Sequence, residues 1–285
     1  MSRVEVLPGP PAELGEGAVW DDERTRLITI DMIGGRLCTS TFSSGGVEHD
    51  AQPVGDFIGA ALPASWCDAV VVTMHGLSAV EHGRTRELAT ILDDTSLRLN
   101  DAACDSSGRV WVGSTALDNA EGRGALWVHD SDGTRLAATD LTLPNGIGWS
   151  PDGATFYVAD SGQGVVLRAD FDASTGTIGG LERFATIDGG EPDGLCVGED
   201  GSLWIAVWDG ARIDRVSAEG VLIESVGVPV RRPTSCAFVP GLGLVITTAR
   251  FGLDDDELES QPLAGRLFLH ATELRGVRSG RVAPL

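Results

Sequence analysis

Four oxygen-bearing residues stand at one phase of this chain. Glu16, Asn100, Asn145 and Asp193 each lie about 11 residues upstream of a short β-rich run. Glycine follows directly at Gly17, Gly146 and Gly194. Two carboxylates and two amides gathered around one axis make a hard, all-oxygen donor set. Such a set suits calcium or magnesium, with other divalent metals open. Each residue alone has a plainer reading. Glu16 is then a solvated loop acid, and Pro144-Asn145-Gly146 and Pro192-Asp193-Gly194 are turns. Pro151-Asp152-Gly153 supplies the contrast, since it sits between two strand-like runs where a turn is sufficient. The shared phase of all four favours a site.

Other chemistries are missing. All 21 basic residues are arginine, so Schiff-base chemistry, lysine-bound pyridoxal phosphate and a Walker-type phosphate loop are excluded. There is no GxSxG elbow, no HExxH and no GxGxxG after a strand. The five histidines show no metal-ligand spacing, and His75 alone invites attention. The run Asp254-Asp255-Asp256-Glu257 lacks the alternation of an EF-hand and reads as a solvated loop near a channel rim. Five cysteines, with no CxxC, imply neither a disulfide framework nor a zinc-thiolate site. Most lie in apolar runs, where cysteine acts as a small hydrophobe.

The elements that must position the four residues are periodic. Six β-rich runs begin at Leu27, Val70, Val110, Phe156, Leu203 and Leu244. A turn precedes each run, and a glycine-opened third strand and a weaker fourth segment follow in most units. In 285 residues this predicts an all-β chain, a single six-bladed β-propeller over residues 1–285 with four antiparallel strands per blade and no helix. A strand near Arg3–Leu7 is expected to complete the last blade beside residues 264–281. The innermost strands of a closed ring would then bring Glu16, Asn100, Asn145 and Asp193 to one mouth of the channel. Tryptophans such as Trp111, Trp127, Trp149 and Trp204 recur at strand positions and read as core, whereas Trp208 lies past its strand and is a candidate substrate contact. The net charge of −21 argues against nucleic acid and anionic membranes as partners. No apolar span or leader is evident, so a cytoplasmic protein is expected.

The stretches LGEGAVWDDERTRLITID, LRLNDAACDSSGRVWVGS, LPNGIGWSPDGATFYVADS, EPDGLCVGEDGSLWIAVW and RRPTSCAFVPGLGLVITTAR together resemble the SMP-30/gluconolactonase family, whose members include sugar lactonases and regucalcin. The resemblance implies a six-bladed propeller with one divalent metal, calcium, zinc, magnesium or manganese, in its channel. Matched motif by motif, Glu16, Asn145 and Asp193 would be metal ligands. Asn100 would lie near metal and substrate, and Arg98 would contact sugar. Asp118 falls where some relatives bind substrate, although Ser114–Leu117 departs from the family pattern. The second blade, Asp56–Leu77, matches poorly. The implied reaction is opening of a sugar lactone, a small-molecule substrate, to its aldonic acid, by a monomer. Asp193 is the first choice of base. Asp101 is a second candidate base whose plainer role is a strand-entry hydrogen bond. Rival readings are a metal-dependent phosphotriesterase or other esterase on this scaffold, and a non-catalytic calcium-binding propeller.

Overall fold

The computed structural model describes residues 4–285. Six antiparallel sheets follow one another along the chain and form the blades of a propeller. Their inner strands are Gly15–Asp21, Ala60–Leu62, Leu97–Cys104, Pro144–Trp149, Glu191–Val197 and Pro233–Val239. Each begins at one end of the channel, here the front, and ends in a hairpin at the rear. As the sequence predicts, the N-terminal strand Val4–Val6 closes the ring by pairing with Phe268–Ala271 of blade 6. In blade 4 both Thr177–Ile178 and Glu182–Thr186 pair with Val165–Asp172, so that blade carries a fifth strand.

The second strand of each blade is buried on both faces because a blade packs between two others. This is why the β-rich runs are continuously apolar rather than alternating. In Val110–Ala116, Val110 and Val112 pack towards blade 2, and Trp111 packs towards blade 4. In Leu203–Trp208, Leu203, Ile205 and Val207 face blade 4, and Trp204 faces blade 6. Trp111 and Trp204 are almost fully buried, as expected of core tryptophans. His75 lies against blade 3, its Nε2 3.2 Å from the Leu97 carbonyl oxygen.

Helix is not absent. Asp254–Glu257, expected as a solvated loop, opens a short α-helix, Asp255–Ser260, at the front rim. Its cap is reciprocal: Asp254 accepts from the Glu257 N–H, and the Glu257 carboxylate accepts from the Asp254 N–H. The acidic residues thus satisfy the free N–H groups of a first helical turn. No helix among the described residues is long and apolar enough to cross a membrane.

A C-terminal segment straps the rear face. Val277 N–H donates to the Val197 carbonyl, Val282 N–H to that of Pro63 and Ala283 N–H to that of Gly108. Arg281 also reaches the fully buried Asp21 of blade 1 at 2.6 Å.

Candidate functional site

Five of the six inner strands break register at one level. The shifts fall between Glu16 and Val19, Leu99 and Ala102, Pro144 and Ile147, Pro192 and Leu195, and Pro233 and Ser235. A bulge bends its strand and re-aims side chains, and such irregularities are common beside functional sites. Here the interrupted positions include Asn100, Asn145, Asp193 and Thr234, and Glu16 is the last paired residue before its break. The blade 2 inner strand is short and regular.

The inner strands approach so closely at this level that side chains are excluded beside the site residues. A Cβ on Gly146 would lie 2.3 Å from the Leu195 nitrogen, and one on Gly194 would lie 2.8 Å from the Ser235 Cα. This explains the glycine after Asn145 and after Asp193 better than a turn does. Both residues sit inside strands.

Glu16, Asn100, Asn145 and Asp193 are all buried, between 3% and 8% exposed. Asn145 Nδ2 donates to Ser161 Oγ at 3.2 Å, and Ser161 Oγ donates to the Pro192 carbonyl at 2.6 Å. This leaves the Asn145 Oδ1 as the amide atom free to serve a ligand. Asp193 Oδ1 is buried with no hydrogen-bond partner. Glu16 Oε2 accepts from the Gly17 N–H at 3.2 Å. Asn100 is committed at both ends: Nδ2 donates to the Pro144 carbonyl at 3.0 Å, and Oδ1 accepts from Arg98 Nη1 at 2.5 Å. It works as a strut between blades 3 and 4 and as the anchor of Arg98. The Arg98 guanidinium also lies over the Phe57 ring, 5.7 Å from its centroid.

Burial pushes the Glu16 carboxyl up to about 8, with the Asp101 charge adding to the effect. Burial and the charges of Glu16 and Asp101 hold Asp193 well above the usual carboxylate range. Burial pushes Asp101 up to about 7. Asp101 Oδ1 accepts from the Ala102 N–H at 2.8 Å, the strand-entry bond expected of it. Asp101 also lines a rear chamber of about 650 Å³, bounded by Trp20, Trp149, Leu195 and Cys196, with Arg275–Gly280 of the strap at its mouth.

These shifts predict an unusual pH profile for metal-free protein. A carboxyl whose pKa is raised by folding binds more protons folded than unfolded, so its contribution is fullest below the ordinary carboxylate pKa and is lost as pH rises. Thermal stability is therefore expected to fall from about pH 4.5 to about pH 8, the window set by Glu16. A melting temperature that rises across that range in chelator-treated protein would contradict the assignment.

Asp118 does not join this ring. It is exposed in the loop after Val110–Ala116, where its Oδ1 accepts from the Ala120 N–H at 3.1 Å. Trp208 is partly buried at the front, with the Arg232 guanidinium stacked 4.7 Å from its ring centroid. Neither Ser161 nor Phe57 is singled out by the spacing of the oxygen donors: Ser161 closes the stretch LPNGIGWSPDGATFYVADS just beyond a strand end, and Phe57 lies in the least family-like blade.

The fold defines a class, a six-bladed propeller, here with Glu16, Asn145 and Asp193 buried on three of its inner strands. Residues 14–250 match the SMP-30/Gluconolactonase/LRE-like region, and the chain belongs to that family. It is 31% identical to L-arabinolactonase of Azospirillum brasilense over 99% of this chain and 96% of that one. It is also 31% identical to regucalcin of Gallus gallus, covering 93% of each. A solved regucalcin from Agrobacterium tumefaciens, described as a calcium-binding protein, superposes with a TM-score of 0.92 at 26% identity, covering 98% of this chain and 97% of that one.

Proposed function

We propose that this chain is a divalent-metal-dependent lactonase that opens a sugar lactone to its aldonic acid. What supports the reading is the burial of Glu16, Asn145 and Asp193 at or beside the register breaks of three inner strands, in a chain related to proteins named as lactonases.

The donor chemistry fits a hard cation. Among the described residues no three His, Cys, Asp or Glu side chains form a cage; the proposed set is two carboxylates and one amide. Asp193 Oδ1 is buried without a donor, the Asn145 Oδ1 is free, and burial and mutual charge oppose ionising Glu16 and Asp193 together without a compensating cation. Calcium, magnesium, manganese and zinc all accept oxygen donors. When bound, such an ion supplies Lewis-acid polarisation of the lactone carbonyl.

The chain's own residues do the rest. Asp193 accepts the proton of the attacking water through the carboxylate oxygen that is not given to the cation. Asp101 is the second candidate, one residue behind the ring and facing the rear chamber. Arg98, fixed by Asn100 and Phe57, holds sugar hydroxyls and then the product carboxylate.

Acid release from glucono-1,5-lactone tests the reading, with chelator-stripped protein and single metals added back. Metal-restored hydrolysis supports it. Tight metal binding with no turnover on any lactone of a panel would replace it by a calcium-binding propeller. A second expected outcome concerns Arg98. The Arg98→Lys variant lowers kcat/KM on polyhydroxylated lactones by about 10- to 100-fold, mostly through KM. It leaves an unsubstituted lactone nearly unaffected. Equal losses on both substrates would remove Arg98 from sugar recognition.

A further inference from the structure

All five cysteines are free, but two of them touch. Cys196 Sγ and Cys236 Sγ lie 3.6 Å apart on the inner strands of blades 5 and 6. A disulfide needs a sulfur separation near 2.05 Å, so closure asks for about 1.5 Å of movement. The two thiols differ in access. Cys196 is partly exposed and lines the rear chamber, whereas Cys236 is fully buried, its thiol directed at the Trp204 carbonyl oxygen.

We propose that Cys196 and Cys236 form a modification site, a dithiol that peroxide oxidises to a disulfide joining blades 5 and 6. Access sets the order of events. Peroxide entering the rear chamber meets Cys196 first. The sulfur attacks one peroxide oxygen, an S–O bond forms, the O–O bond breaks, and one water leaves with the thiol proton. Cys236 then displaces the hydroxyl of the Cys196 sulfenic acid. The S–S bond forms, the S–O bond breaks, and a second water leaves with the Cys236 proton. Two thiols lose two electrons in all, and one peroxide becomes two waters. Burial and the neighbouring sulfur push the Cys196 thiol up, so little thiolate is present and the reaction is slow. The bond would tie the strand carrying Asp193 to the strand beside it, closing a loop across a sequence separation of 40 residues.

The test is peptide mass spectrometry of the intact folded chain after treatment with hydrogen peroxide and alkylation in denaturant. The expected product is a Cys196–Cys236 peptide pair lighter by two hydrogens, reversed by dithiothreitol, in protein that melts no lower than the reduced form. In the Cys236→Ser variant the sulfenic acid has no partner and is trapped on Cys196 by dimedone. Full alkylation of both cysteines after peroxide, or Cys196 sulfinic acid without the cross-link, overturns the proposal. So does a cross-linked species that melts lower than the reduced protein, which would show that the bond formed outside the native geometry.

Discussion

Replacing Asp193 by asparagine is expected to lower lactone turnover by about a thousandfold or more. The same change should raise the melting temperature of metal-free protein at pH 8. Two effects of opposite sign follow from one site. Asp193 is 4% exposed, and its Oδ1 has no donor. Burial and the Glu16 charge both oppose its ionisation. An asparagine of nearly the same shape removes that repulsion and offers Glu16 an amide donor. It also removes the only group on this strand placed to accept a proton inside the ring. A variant that loses activity and stability together would point to a damaged fold instead. One that keeps activity would assign the proton transfer to Asp101, and Asp101→Asn is the paired measurement.

The largest loss of stability is expected at the rear hairpin of blade 3. The Asp105 carboxylate is fully buried and accepts from the Ser107 N–H, the Arg109 N–H, Arg109 Nε at 2.6 Å and Trp111 Nε1 at 3.1 Å. Arg109 is itself 9% exposed and donates onward to the Ala173 carbonyl of blade 4 at 2.6 Å. Asp105→Ala leaves a buried guanidinium unpaired and an indole N–H without an acceptor. Breaking a buried pair in this way costs about 3–5 kcal/mol, or a drop of about 10 °C in melting temperature for a chain of this size. Thermal unfolding checks it, and a shift below about 2 °C would show that Arg109 finds another partner. Asp105 lies at the rear of its inner strand, so kcat of the folded fraction should change little. The Asp193 and Asp105 variants therefore separate the ring from its support.

Much of this was legible in one dimension, and for a local reason. Each blade is a run of short-range hairpins, so turn residues and apolar runs recur at the period of the fold. Glu16, Asn145 and Asp193 could be placed on inner strands because a repeat turns equal phase into equal position. The short helix was also written locally, as an acidic N-cap at Asp254 with glutamate three residues on. Against an EF-hand pattern the run reads as a loop; against a capping box it reads as a helix start.

The rest depends on contacts between blades. Whether Asn100 is a ligand or a strut turns on the Pro144 carbonyl, a neighbour 44 residues away. The orientation of the Asn145 amide is set by Ser161, and Arg98 is held by Phe57 from a blade with little family likeness. The Cys196–Cys236 contact joins two strands that share no hydrogen-bonded ladder. Sequence by itself determined the blades, their number and the phase of the oxygen donors, because these rest on local turn chemistry and on burial of both faces of each second strand. Only the tertiary structure decided which of those oxygens are free, which are spent on holding the ring together, and how far burial resists their ionisation. Desolvation and charge repulsion depend on what the closed ring brings within a few ångströms, and residues far apart in the chain supply it.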